Sequence, residues 1–350
     1  MTDPQQIFHA TLAKLVRLAQ EITGEVSRLY AAQTAQNGSG QTPPPPPEPT
    51  SGDPVTLCTP QTLPAGALEQ SAQLATAVNP MNAPMTGPLS AMMGLGEVLT
   101  PARIAALTSK YWGPTPRRLS VSFMETTDVE LRRRILAHMN AWAVTSGVSF
   151  VYTAGTGKVR ITRGNDGYWS YLGTDILMIP RSGATMCLQG FTARTSESEY
   201  RRVVRHETGH TLGFPHEHMR ADLVARIDPA KAYAYFSRTQ GWDRRTVDYQ
   251  VLKALDERSI LSTPPDQTSI MCYQLPGSIT KDGKPIIGGR DLNASDLAFA
   301  GKIYPKVAPI APSADLDDDD DDGLAVSAAT QQAADESDLT ELVNKVNQGA

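Results

Sequence analysis

His206-Glu207-Thr208-Gly209-His210-Thr211-Leu212-Gly213-Phe214-Pro215-His216-Glu217-His218 holds four of the six histidines of this 350-residue chain. The spacing is H-E-x-x-H-x-x-G-x-x-H. Ser196 and Glu199 upstream have the spacing of a capping box, and Tyr200 to Leu212 meets no helix breaker except Gly209. A helix is therefore predicted, with His206 and His210 one turn apart on one face. Gly213 stands where a helix end needs a left-handed residue, which only glycine supplies cheaply. The chain then doubles back and brings His216 to the same point. Three neutral imidazoles suit zinc and leave a fourth position for water, the pattern of a catalytic site. The reading is one Zn2+ held by His206, His210 and His216, with Glu207 as general base for a zinc-activated water. The plain alternative, a histidine-rich surface helix, is weakened by the added glycine and third histidine.

The surroundings of this string read as one catalytic region of α+β class. Leu119 to Met124 alternates as a strand. Thr127 and Glu130 have capping-box spacing before a helix that carries Leu131, Ile135, Met139 and Trp142 on one face. His138 beside that stripe has no metal-ligand spacing around it and reads as structural or surface. Lys158 to Thr162 and Ile176 to Ile179 read as strands, with the turn-rich Gly164 to Gly173 between them.

Outside that region the chain is sparser. Phe8, Leu12, Leu15, Ala19, Ile22, Val26 and Leu29 form a 4-3-4-3-4-3 stripe, so residues 1–33 are expected to hold an amphipathic helix. It is suited either to a coiled coil, through self-association or partner docking by residues 5–32, or to lying on its own catalytic domain. Residues 34–56, with Asn37-Gly38-Ser39-Gly40 and Pro43 to Pro47, read as a linker. Residues 57–104 are a pre-catalytic, propeptide-like segment in which a short helix is expected from Ala65 to Val78, stopped by Asn79-Pro80. After Tyr304-Pro305 the pattern dissolves, and 307–350, with six aspartates from Asp317 to Asp322, reads as an acidic disordered tail.

Bulk properties narrow the function classes. A net charge of −5 gives no general attraction to nucleic acid. No run of about 18 apolar residues occurs, so no membrane span is expected. Charged residues interrupt Met1 to Tyr30, leaving no readable signal peptide, and three cysteines are too few for a disulfide scaffold. A cytoplasmic protein, or one exported by another route, is the expectation.

A second motif follows the histidines. Ser269-Ile270-Met271-Cys272-Tyr273 lies downstream of His218, as a Met-turn lies downstream of a metzincin zinc string. Phe214 with His216-Glu217 gives a G-F-x-H-E ending, and Arg220 and Asp222 give R-x-D. From about Lys110 to Lys306, including Gly167 to Gly173, the chain resembles the astacin-type branch of the metzincin peptidases. The resemblance implies a metzincin-type zincin domain over 105–306, with a twisted mixed sheet, a long zinc helix and an irregular C-terminal half. It implies an extended protein or peptide substrate. Met271 would form the hydrophobic base beneath the metal, Tyr273 would stabilise the oxyanion as a second catalytic residue, and Glu217 would be structural.

Other readings use the same residues. One is a zinc-binding scaffold without turnover, and another is hydrolysis of a non-peptide amide. His218 and Arg220 carry no assigned chemistry and read as surface or salt-bridge residues. The chain lacks the disulfide cysteines of animal astacins, and Cys187 and Cys272 read as free buried thiols or as neighbours. In the resembled family a propeptide aspartate can occupy the zinc. Gly52-Asp53 lacks the expected aromatic residue, and Cys58 is the alternative because a thiolate is a good zinc ligand.

Overall fold

In the computed structural model, which describes residues 58–84, 108–255 and 265–306, a five-stranded sheet carries the site. Strands β1 (Arg117–Phe123), β2 (Val148–Tyr152), β3 (Val159–Thr162), β4 (Tyr168–Ser170) and β5 (Met186–Leu188) lie in the order β2-β1-β3-β5-β4. All neighbours are parallel except β4, which runs antiparallel to β5 and forms an edge. Strand β1 is buried from Leu119 to Ser122 on both faces, as a central parallel strand must be. Its two serines are satisfied, Ser120 Oγ accepting from Lys158 N and Ser122 Oγ from Gly157 N.

The segment Ile176 to Ile179 is not a strand. Gly173–Met178 forms 3-10 turns, in which Gly173 takes φ +48° and Thr174 N donates to Lys110 O. A left-handed glycine and an early turn hydrogen bond override the β-branched residues there.

Helix α1 (Leu68–Val78) lies where expected and ends at Asn79. Its inward face carries Ser71, Ala72, Leu74 and Ala75. A buried polar triad fixes it: Ser71 Oγ donates to Asp175 Oδ1 at 2.5 Å, and Lys110 Nζ reaches Ser71 Oγ at 2.6 Å and Asp175 at 3.4 Å. Helix α2 (Val129–Met139) buries Leu131, Ile135 and Met139, and Trp142 follows them into the core. Its cap is Asp128 rather than Thr127. Asp128 accepts from Leu131 N at 2.8 Å, whereas Thr127 Oγ1 donates backward to Glu125 O.

The zinc-string helix α3 opens at Glu197–Glu199, passes through a π-helical stretch Tyr200–Val204 and continues as Arg205–Thr211. Ser196 Oγ accepts from Glu199 N, which is half of the expected capping box. After it come α4 (Ala221–Arg226), α5 (Pro229–Gln240), α6 (Arg244–Val247) and α7 (Ala294–Ile303). No β-strand beyond isolated bridges follows α3 among the described residues, in keeping with the irregular C-terminal half expected.

Two apolar clusters result. One joins the sheet, α2 and α3 and includes Ile270 and Met271; the other gathers Cys58, Leu223, Phe236, Val251, Cys272 and Tyr273. The Ser269-to-Tyr273 turn crosses from one cluster to the other, and the histidines lie at that seam. Among the described residues no helix is long and apolar enough to cross a membrane. The stripe over 5–32, the linker 34–56 and the acidic tail lie outside the described residues.

Candidate metal centre and catalytic site

The three predicted ligands converge. His206 Nε2 lies 3.2 Å from His216 Nε2, and His210 Nε2 lies 3.0 Å from it. Neither His206 nor His210 donates across these contacts. His206 Nδ1 faces Ile270 O at 2.6 Å and His210 Nδ1 faces Phe214 O at 2.8 Å, and a carbonyl only accepts. Each Nδ1 therefore holds its ring's proton, so the Nε2 atoms of His206 and His210 are bare lone pairs aimed at one point. Burial pushes His206 down to about 4 and holds His210 and His216 well below the usual histidine range, so all three are neutral. Buried, neutral, convergent imidazoles need a cation between them, and the donor set fits zinc.

Two glycines make this geometry. Gly213 takes φ +92° and closes against Lys110, whose carbonyl would stand 2.9 Å from a Cβ there. Gly213 N donates to His210 O and Phe214 N to Gly209 O, which ends α3 and turns the chain toward His216. Gly209, between the two helical ligands, leaves the room that Met271 fills: a Cβ at Gly209 would overlap Met271 Sδ and meet Trp142 Cζ2 at 3.1 Å. Met271 is buried as expected of a packing residue.

Glu207 is fully enclosed, and burial pushes its carboxyl up to about 8, offset in part by the Cys58 thiol and the Arg202 guanidinium. Tyr273 is buried with its ring 4.2 Å from that of His216, and its hydroxyl donates to Cys58 O. Glu217 ties two turns together. Its amide donates to Met271 O at 2.9 Å and its carboxylate accepts from Asp266 N at 3.1 Å, while burial raises it to about 7.

Cys58 stands inside the centre. Its sulfur donates to Glu207 Oε2 at 3.3 Å, and it falls with His206, His210 and His216 in one group whose ligand atoms all lie within 4.8 Å of one another. Thr59 N donates to Tyr168 O and Gln61 N to Ser170 O, so this segment lies along the β4 edge, bridging it in parallel at Cys58 and Tyr168. Thiolate chemistry made Cys58 a candidate from sequence; only the fold brings it to the histidines. Cys187 and Cys272 are free and buried and bond separately, to Gly164 O and Tyr273 O.

The surface reading of His218 and Arg220 is overturned, while the charge-pairing reading of Arg220 keeps a partner in the nearby Glu217 carboxyl. His218 is not at the surface: it is fully buried, its Nε2 donates to Gln250 O at 2.9 Å, and its ring stacks on Tyr273 at 4.1 Å. Arg220 is buried as well. Both follow Glu217 in a 3-10 turn that the third ligand's return path drives inward. His138 is structural, stacked on Tyr200 at 5.1 Å and 3.4 Å from Glu197.

Asp296 was not anticipated. Buried at the start of α7, it accepts from Ser269 Oγ at 2.6 Å, Ile270 N at 2.9 Å and Asn293 N at 3.0 Å. It thereby holds the turn whose Ile270 carbonyl orients His206. Its sequence signal was Asn293 with Asp296, a helix-capping pair that gives no hint of a reach to Ser269.

The chain is similar to several known proteins. The family model for astacin, a peptidase family, matches residues 105–293. A zinc metalloproteinase of Caenorhabditis elegans, nas-27, is 24% identical over 225 residues, which is 59% of this chain and 46% of that protein. The chain thus spans about half the length of that curated relative. A solved structure of myroilysin is similar with 28% identity and a TM-score of 0.54, over 57% of this chain and 97% of the other. High choriolytic enzyme 1, a hatching enzyme zinc-protease from Oryzias latipes, is 20% identical with a TM-score of 0.39, over 56% of this chain and 95% of the other.

Proposed function

Since the chain belongs to the astacin family of peptidases, we propose that residues 105–306 form a zinc-dependent endopeptidase and that the segment from Cys58 to Asn82 holds it latent. The observation carrying the first half is the convergence of His206 and His210 Nε2 lone pairs with His216 Nε2 beside a buried carboxylate. A bound zinc ion supplies Lewis-acid polarisation of a carbonyl and a more acidic water.

The chain's own groups do the rest. Glu207 takes a proton from the attacking water and returns it to the leaving amine. The hydroxyl of Tyr273, once free of Cys58, donates to the oxygen that gains charge, and such a donor acts most strongly when preplaced. Once the segment from Cys58 to Gln61 leaves the β4 edge, the backbone groups it now occupies can pair instead with an extended peptide substrate.

The latency half rests on one residue engaging every catalytic group. The Cys58 thiol lies among the histidine nitrogens and against Glu207 Oε2, and its carbonyl takes the Tyr273 hydroxyl. As a thiolate, Cys58 would be a fourth zinc ligand and leave no open position. Its segment also covers the edge that a substrate needs, and the Ser71–Lys110–Asp175 triad anchors the helix behind it.

The test is zinc content and cleavage of a mixed peptide library by the Cys58→Ala chain, cut by limited proteolysis ahead of Lys110 so that the segment can leave the β4 edge, with and without Glu207→Ala. About one zinc per chain is expected, with a loss of at least ~100-fold on removing the carboxylate. Stoichiometric zinc without any Glu207-dependent cleavage would mark a binding scaffold instead, and turnover confined to non-peptide amides would mark the other hydrolase reading.

A further inference from the structure

We infer that His218, which binds neither metal nor substrate, is the positioning residue for Tyr273. The inference rests on the peptidase reading above. The two rings lie 4.1 Å apart at 13° between planes, a face-to-face stack with no room for the phenol to tilt toward His218. His218 is itself held: Nε2 donates to Gln250 O at 2.9 Å, and its ring lies 5.1 Å from that of His216. Gln250 belongs to the π-helical stretch Asp248–Leu252 that follows α6. The phenol of Tyr273 is therefore braced through one ring to the C-terminal half, and its hydroxyl angle is set from there.

A packing role alone does not account for the choice of residue. With Nε2–H donating, Nδ1 is an unprotonated acceptor, and it is buried with no hydrogen-bond partner among the described residues. Burying such an atom is costly. An apolar side chain of similar volume would fill the space without that cost. What histidine adds is a flat face for Tyr273 and a donor for Gln250 on opposite sides of one small ring. A tyrosine that must leave Cys58 O and find a substrate oxygen needs one defined plane of approach, because stabilisation of developing charge falls steeply with misplacement.

The experiment is a double-mutant cycle in the same proteolysed Cys58→Ala chain, assayed on a fluorogenic peptide from the mixed library. His218→Leu keeps the volume and loses the flat face. It is expected to lower kcat about ten- to a hundredfold with KM and zinc content unchanged. In the Tyr273→Phe background the same change is expected to lower kcat less than about twofold, since a residue acting through a hydroxyl has nothing left to position. His218→Phe restores the face and recovers most of kcat. Binding of a phosphinic peptide, which mimics the tetrahedral state, follows the same pattern without turnover.

Equal losses in both backgrounds, or loss of zinc in His218→Leu, would overturn the assignment. Should the Leu chain fail to fold, the Phe chain decides, and a kcat as low as that of Tyr273→Phe would overturn it. Absence of Glu207-dependent cleavage in the parent would instead defeat the peptidase reading and carry this inference with it.

Discussion

The sulfur of Cys58 lies 3.3 Å from Glu207 Oε2, although the two residues are 149 positions apart. A proton acceptor already holding a thiol proton cannot take one from water. Without metal, burial and the Glu207 charge both raise the thiol's pKa, so proton and carboxyl stay paired. With metal, the thiolate would leave Glu207 and close the fourth position, and either state is inactive. The Cys58→Ala chain is therefore expected to cleave a peptide library at least ~10-fold faster than the unprocessed wild type, given that one freed general base contributes ~100-fold or more. Equal rates in the two chains would show that the thiol is not what inhibits.

Asp296 gathers two donors from the turn that orients His206 and carries Met271, and a third from the cap of its own helix. Deleting its carboxylate leaves a hydroxyl and two amides without their acceptor in a buried place. Asp296→Ala is expected to cost about 2–3 kcal/mol, since one unsatisfied buried group alone costs ~1–3 kcal/mol. For a domain of this size the loss is a fall of about 5–10 °C in Tm. Zinc affinity should fall with it, because the carbonyl that fixes the His206 tautomer moves. Thermal denaturation and zinc titration check both, and a variant with unchanged Tm would remove Asp296 from the turn's support.

The convergence of the three histidines was legible because their spacing is local. A helix period sets His206 against His210, and a left-handed glycine sets the return to His216. Tyr273 and Met271 were legible only through a family pattern, since no local rule puts residue 271 under residue 209. Cys58 could be named from thiolate chemistry but not placed, because its contact depends on pairing with a β4 edge that had been read as turn. His218 was misread because polar residues after a turn are usually solvated, whereas here the turn itself points inward. The strand misassigned at Ile176 failed for the same reason as the Thr127 cap: one backbone hydrogen bond, to Lys110 O or from Leu131 N, outweighed residue preference.

Gly209 separates two opposed effects. Alanine in a helix interior is favoured over glycine by about 1 kcal/mol. Here its Cβ would overlap Met271 Sδ and press on Trp142, and overpacking of a filled core costs about 1–3 kcal/mol. Both neighbours are large and buried, so the clash should win. Gly209→Ala is expected to be net destabilised by about 1 kcal/mol or more and to bind zinc more weakly, because Met271 must shift beneath the two ligands. A Tm at or above that of the wild type, with zinc affinity intact, would show that Met271 yields freely.

Metal removal should act on stability as well as on activity. Without a cation the Nε2 atoms of His206 and His210, neither of which can donate, crowd His216 Nε2 at 3.2 and 3.0 Å in a buried seam between two apolar clusters. A zinc ion bound only by the folded chain stabilises it by about 2.7 kcal/mol at a free concentration a hundred times its Kd. Chelation of the full-length protein should thus lower Tm by about 5–10 °C, and added zinc should restore it. The His210→Ala chain, with one ligand gone, should show a much smaller response to chelator. A wild-type Tm indifferent to chelation would mean that the three histidines are held together by packing alone, and the metal centre would have to be abandoned.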